Sequence, residues 1–580
     1  MTAQQSARRT GARYRAAVAT IEWNFADLFE AVAAAVPDRA AHVQGHRVVS
    51  WSELDRHAEV LASDLLSAGL GHQSKVACYL HNGPEYLEVV YAACKVSMVP
   101  FNTNYRYGPD EVTYLFDNAD AEAVVFHASF TGVVEVVRER LAKVRRWYVV
   151  ADESGHGPTW ATPYGAVVSG DGRGSAPSWQ RSGDDLLLLY TGGTTGMPKG
   201  VMWRQDDLFN GLGAGANTSL GIAAATSVEE IAVRARTGPR TTMLVACPLM
   251  HAAGQFSAMN AMAPGGTVVT LTGRRFDPGE LLDAVQEHQA TQLIIVGQAF
   301  AGPILETLDS SPERWDLSSL VQIVSSGVMW STTNKQGLLR HVPQAMLFDA
   351  LGSSEALGVG RSVSTAGSRQ KTATFVLGPG AAVFAEDGRR VTPGSGERGL
   401  LAVGGFTPLG YYKDPVKSQA TFRIFEGRRW SVPGDWATVD ADGTINLLGR
   451  GSMCINTGGE KVFPEEVEEA LKTHPAVRDA AAVGIPDERF GEVVCALIEP
   501  APGCQPTPTE LIEHVRVHLA AYKAPRHVII VDTIGRAPNG KLDYGSLRRT
   551  AAEQLDVVTP HARPIPDTPN PSASRPSISG

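Results

Sequence analysis

Short β-rich runs alternate with helix-patterned stretches along most of this chain, and that alternation limits the architectures open to it. "SKVACYL", "AEAVVFH", "TVVTLTG", "QLIIVG" and "VQIVSSG" read as strands, separated by helical patterns such as "PGELLDAVQEH". "WSELDRHAEVLASDLLSAGL" puts Leu54, Ala58, Leu61, Leu65 and Leu66 on one helix face, with Gly69 and Gly71 flanking its end. Strands joined through helices pair in parallel, so the pattern predicts an α/β fold of helix-flanked sheets with substantial parallel sheet.

The pattern changes near "LLGRGSMCINTGGEKVFPEEVEEAL". Glycines there allow a bend. Pro464 then sits at a helix start, with Glu465 and Glu466 in the first turn, where the helix dipole favours negative charge. Two strands around a turn ("DAAAVGIPDERFGEVVCALIEP"), a helix ("TELIEHVRVHLAAY") and a strand ("HVIIVD") complete a small α+β unit. The expected plan is a loose leader over 1–20, a large domain over 21–449, a small domain over 450–548 and a disordered tail over 555–580. From Thr559 onward there are six prolines in 22 residues and almost nothing large and apolar, too little to offset the entropy of ordering.

Composition excludes several classes. The net charge of −9 argues against a nucleic-acid-binding face. Six scattered cysteines (Cys78, Cys94, Cys247, Cys454, Cys495, Cys504) include no CxxC pair, which fits reduced thiols in the cytoplasm better than a disulfide frame or zinc site. The start lacks the apolar core of a secretory signal, and no apolar run is long enough to span a membrane.

The chemistry centres on "LLLLYTGGTTGMPKG", Leu186 to Gly200. A buried strand end runs into Gly192, Gly193 and Gly196, whose backbone N–H groups approach an anion closely because no Cβ intervenes. Thr191, Thr194 and Thr195 add hydroxyl donors, and Lys199 adds a cation suited to phosphate. The sum is a polyphosphate cradle, although it matches neither the Walker A pattern nor G-x-G-x-x-G.

"YTGGTTGMPKG" resembles the phosphate-loop signature of the acyl- and aryl-CoA synthetases of the adenylate-forming superfamily. Further signatures follow in order, and the likeness spans roughly 22–550. "DALGSSEA" is similar to the family's adenine-contacting segment, which implies nucleotide contacts from Asp349, Gly352, Ser353 and Ser354, joined by Ser326 and Gly327, and makes Glu355 the magnesium-binding acid. A carboxylate suits Mg²⁺, a hard cation that prefers oxygen. Read on its own, Gly352-Ser353-Ser354 is a tight polar turn; Leu351 stands where the family has a stacking tyrosine. Ala356 spoils a G-x-S-x-G elbow, so a serine hydrolase is disfavoured.

"WSVPGDW" resembles the segment whose aspartate, here Asp435, binds the ribose hydroxyls. "GRGSMCINTGGEKVFPEEVE" resembles the hinge and first motif of a mobile lid domain: Arg450 for nucleotide, Ser452 at the hinge, and Gly458, Gly459 and Lys461 along the CoA path. "RAPNGKLD" places Lys541 at the catalytic lysine, and His251 with Gly254 matches positions near the acyl pocket. Small residues (Ala252, Ala253, Gly254, Ser325, Ser326, Gly327) suggest room for a bulky or long acid.

The resemblance implies an ATP- and Mg²⁺-dependent ligase that adenylates a carboxylic acid, then transfers the acyl group to coenzyme A. The wording is most similar to actinobacterial fatty-acid and sterol side-chain acyl-CoA synthetases. Two alternatives stay open at this point: an enzyme that passes the acyl group to a carrier-protein thiol, and a nucleotide-binding relative without catalysis. Oligomeric state is not legible.

Overall fold

The computed structural model describes residues 22–171, 177–191, 197–217, 221–327, 330–367, 374–450, 453, 455–457, 460–487, 491–519, 521–537 and 542–555. The helix Trp51–Ser67 shows how local sequence sets an element. Ser50 caps it, accepting from the Glu53 N–H at 3.2 Å while Glu53 accepts from the Ser50 N–H at 2.8 Å, a reciprocal box. Leu54, Ala58, Leu61 and Leu65 are buried, and Gly69 turns the chain away at φ +82°.

Two sheets carry the larger part of the chain. In the first, Ala40–Gln44, Thr267–Thr270, Thr242–Val245, Gln292–Ile295, Gln322–Ser326 and Met346–Ser353 lie side by side, all parallel. From Ala356–Ser364 onward the pairing turns antiparallel. In the second, Lys75–Tyr79 lies between Val99–Asn102 and Ala121–His127, again parallel. The expected α/β class is therefore correct, and the strands read from sequence are present.

Helix Pro84–Lys95 is buried along all 12 residues and packs on strands of both sheets, Ala40–Gln44 on one side and Lys75–Tyr79 and Val99–Asn102 on the other. A helix between two sheets has no solvent face, so its charged residues are buried with the rest. Its three charged residues are paired, as buried charge requires. Arg47 meets Glu85, His57 and Tyr164 meet Glu88, and Lys95 meets Glu30, Asp55 and Glu59 at 2.8, 2.9 and 3.1 Å.

The described residues divide into two compact units, those within 453–535 and 543–555 forming the smaller one. There the long hairpin of Val477–Asp487 and Gly491–Pro500 is packed by Pro464–Lys472 and Pro508–His518 over a core that includes Val467, Leu471, Ala480, Ala496 and Leu511. Buried Glu468 accepts from the Tyr544 hydroxyl at 2.8 Å and the Ala482 N–H at 3.0 Å. Among the described residues no helix is long and apolar enough to cross a membrane.

Candidate active site

The glycine- and threonine-rich segment leaves one strand and returns as another. Leu186–Thr191 pairs antiparallel with Lys199–Arg204, so Thr191 faces Lys199 across the ladder and Tyr190 faces Gly200. Gly192, Gly193, Thr194 and Thr195 lie outside the described residues. Gly200 is set by its neighbour: a Cβ there would sit 2.9 Å from the Tyr190 ring. That ring cannot yield, because it is buried and its hydroxyl donates to Asn118 at 2.7 Å.

Asn102, 2% exposed, anchors the strand that feeds this segment. It accepts from the Tyr190 N–H at 2.6 Å and donates to the carbonyls of Tyr190 at 2.8 Å and Met250 at 2.7 Å. Asn82 holds the same neighbourhood, donating to the Cys247 carbonyl at 3.0 Å and accepting from the Leu249 N–H at 2.7 Å. The strand end and the segment before His251 are thus fixed to one frame.

Glu355 occupies the turn between Met346–Ser353 and Ala356–Ser364. The expected polar turn is shorter than its sequence suggests: Gly352 and Ser353 still belong to the strand, and only Ser354 and Glu355 make the turn. Ser353 and Ala356 pair in register, and that pairing carries the strand past the glycine. The turn is held from three directions. Ser353 Oγ accepts from the Glu355 N–H at 3.3 Å, the Trp203 indole donates to the Ser354 carbonyl at 2.9 Å, and Ser431 Oγ donates to the Glu355 carbonyl at 2.6 Å.

The Glu355 carboxylate meets a residue that sequence reasoning passed over. Tyr411 Oη donates to Glu355 Oε1 at 2.8 Å, and Lys199 Nζ lies 5.7 Å from the centroid of the same ring. Tyr411 arrives through Gly410–Tyr411, which pairs with Lys199–Arg204. Among the described residues no carboxylate pairs with Lys199, and nothing bonds to Glu355 Oε2. One carboxylate with an oxygen open fits Mg²⁺, which keeps waters and substrate phosphates as its other ligands. Among the described residues no cluster of three or more His, Cys, Asp or Glu forms an all-protein metal cage.

Asp349 forms an ion pair with Lys335, both buried, with Lys335 Nζ 5.6 Å from the Trp330 ring centroid. Its carboxylate is therefore tied into the packing between Thr332–His341 and Met346–Ser353. Ser326 ends its strand half-buried, and Gly327 follows at φ +89°. The neighbouring Ser325 hydroxyl accepts from the Gly297 N–H at 2.8 Å. Leu351 packs with the antiparallel half of the large sheet.

Asp435 opens the strand Asp435–Val439, is half-buried, and stands opposite Arg450 in register. Gly434 before it has φ +105°, a conformation that glycine adopts at little cost. Arg450 and Lys461 are placed by backbone alone, in Thr444–Arg450 and Glu460–Val462. Ser452, Gly458, Gly459 and Lys541 lie outside the described residues.

His251 is half-buried at the N-cap of Ala252–Met262. Gly254 in its first turn presses on backbone: a Cβ would meet the Pro248 carbonyl oxygen at 2.4 Å. The missing side chain is matched by that close approach, so Gly254 opens no volume on this side for an acyl chain.

The chain belongs to the AMP-binding enzyme family: the family model matches residues 29–412, and the model of the C-terminal domain of AMP-binding enzymes matches 466–541. It is 38% identical over 531 residues to a medium/long-chain-fatty-acid–CoA/3-oxocholest-4-en-26-oate–CoA ligase of Mycolicibacterium smegmatis, covering 90% of this chain and 95% of the relative. A 3-oxocholest-4-en-26-oate–CoA ligase of Rhodococcus rhodochrous is also 38% identical, over 532 residues, covering 90% and 94%. Among solved structures, the anthranilate CoA ligase AuaEII in complex with anthranoyl-AMP shares the fold at a TM-score of 0.79 and 21% identity, covering 92% of this chain and 98% of that one.

Proposed function

We propose that the chain is an ATP-dependent acid–CoA ligase acting on fatty or sterol side-chain acids. The single observation that carries the reading is the connection of Lys199, at the close of the phosphate-loop segment, to Glu355 through one side chain, Tyr411, in a chain 38% identical to acid–CoA ligases.

In the first half-reaction a carboxylate oxygen of the acid bonds to the α-phosphorus of ATP. The bond from that phosphorus to the bridging oxygen breaks, and pyrophosphate leaves. Attack of an anion on an anion needs positive charge and N–H donors where charge accumulates. Lys199 serves the β- and γ-phosphates, with the Thr191–Thr195 segment supplying backbone and hydroxyl donors. Glu355 would hold Mg²⁺, which would neutralise phosphate charge there. Asp435 takes the ribose hydroxyls as an acceptor-only group, and Arg450 together with Asp349, Gly352, Ser353, Ser354, Ser326 and Gly327 surrounds the rest of the nucleotide. Lys541 bridges the carboxylate and the α-phosphate.

In the second half-reaction the CoA sulfur attacks the acyl carbon, the carbon–oxygen bond to AMP breaks, and the thiol proton is lost to solvent. Gly458, Gly459 and Lys461 line the pantetheine approach, and the lid turns about Ser452 between the halves. His251 borders the acyl site. The cytoplasm, where ATP and CoA are both present, suits this chemistry.

A panel of short, medium, long, aromatic and steroidal acids tests the reading, scored by acid-dependent exchange of labelled pyrophosphate into ATP and by CoA thioester formation. Exchange with no acid in the panel would end it.

A further inference from the structure

A buried tyrosine needs a partner for its hydroxyl, and most find one in the packing around them. Tyr411 is unusual in what it touches. Its hydroxyl reaches the carboxylate proposed to hold the metal, and its ring lies beneath the lysine proposed to hold the phosphates. Its own position is fixed from several sides. The Tyr411 N–H donates to Ser418 Oγ at 2.8 Å, and Phe422 packs on the ring at 5.9 Å. Gly410 before it has φ +150°, where a Cβ would meet Ser418 Oγ at 2.7 Å. Just upstream, Arg429 grips the backbone, donating to the carbonyls of Pro408 at 2.5 Å and Leu409 at 2.9 Å and to Thr407 Oγ1 at 2.8 Å. Such scaffolding exceeds what a hydroxyl in search of any acceptor requires.

We propose that Tyr411 is a positioning residue for the metal-binding carboxylate: it occupies Glu355 Oε1 and leaves Oε2 turned to the cation, while its ring steadies Lys199. This deepens the ligase reading and rests on it. The choice of a phenol follows from electrostatics. A lysine or arginine at this place would orient the carboxylate equally well but would compete with the cation for its charge. A neutral hydroxyl orients it and leaves the charge in place.

Tyr411→Phe keeps the ring and removes the donor. The Mg²⁺ concentration for half-maximal pyrophosphate exchange should rise about tenfold, the usual scale for loss of a group that orients a metal ligand. Mn²⁺ binding in the presence of ATP, followed by water-proton relaxation, should weaken by a similar factor, with KM for the acid unchanged. In a Glu355→Gln background the same substitution should add nothing, because the two residues act as one unit. A 3-fluorotyrosine at 411, with nearly the same shape but a stronger donor, should also move the metal dependence. Metal dependence and Mn²⁺ binding within twofold of wild type in both the Tyr411→Phe and fluorotyrosine proteins would overturn the proposal and leave the ligase reading intact. Strict additivity with Glu355→Gln would overturn it too. Wild-type enzyme that never exchanges pyrophosphate would overturn both.

Discussion

The ion pair beneath the proposed nucleotide segment gives a prediction with a defined magnitude. Lys335 and Asp349 are 4% and 6% exposed and bond to each other. Lys335→Met keeps the volume and removes the cation with which this buried carboxylate is paired. Breaking a buried pair by removing one partner costs about 3–5 kcal/mol where that partner alone compensates the charge, and an exposed pair contributes about 0–1 kcal/mol. With both groups inside the fold the loss should exceed the exposed range and reach about 2–4 kcal/mol. Urea unfolding of wild type and Lys335→Met at pH 7 reads the loss, and Asp349→Asn added to Lys335→Met should restore part of it. A penalty under about 1 kcal/mol, or no recovery in the double variant, would refute the argument that this pair is an electrostatic strut.

Three other outcomes are expected. Lys541→Ala should lower acid-dependent pyrophosphate exchange by about a hundred- to a thousandfold while sparing thioester formation from a supplied acyl-adenylate; equal loss in both halves would refute the division of labour. Gly200→Ala should cost about 1–3 kcal/mol of stability through collision with the Tyr190 ring, read as a lowered midpoint in thermal unfolding. Burial, helped by Arg274 and opposed by Asp152, pushes His127 down to about 3 and His81 down to about 4 from 6.5, so both stay neutral in the fold. The unfolded chain takes up those protons first. Stability is therefore full above about pH 6.5 and falls toward pH 4 by up to about 1.4 kcal/mol per pH unit per histidine, a slope that His127→Gln should reduce in calorimetry.

Most of the fold was open to reading because its signals are local. The cap at Ser50, the apolar face of Trp51–Ser67 and the proline at the start of Pro464–Lys472 each act within a few residues. The reading failed where meaning depends on pairing at a distance. Tyr411 lies 56 positions from Glu355, in a "GYYK" that carries no chemical signature, and gains its place only when Gly410–Tyr411 joins the strand after the phosphate loop. Asn102 and Lys335 are equally silent in sequence, for the same reason. Glycine shows the difficulty most sharply. Gly200 is required by a ring, Gly254 by a carbonyl oxygen and Gly434 by a positive φ, yet all three look alike in the chain. A small residue is thus set by its own neighbours: at Gly254 a Cβ would meet the Pro248 carbonyl, and at Ser325 the hydroxyl is engaged by the Gly297 N–H. The breadth of the proposed acyl site is therefore a matter for substrate comparison: steroidal and straight-chain acids of matched carbon number measure it where a count of small residues cannot.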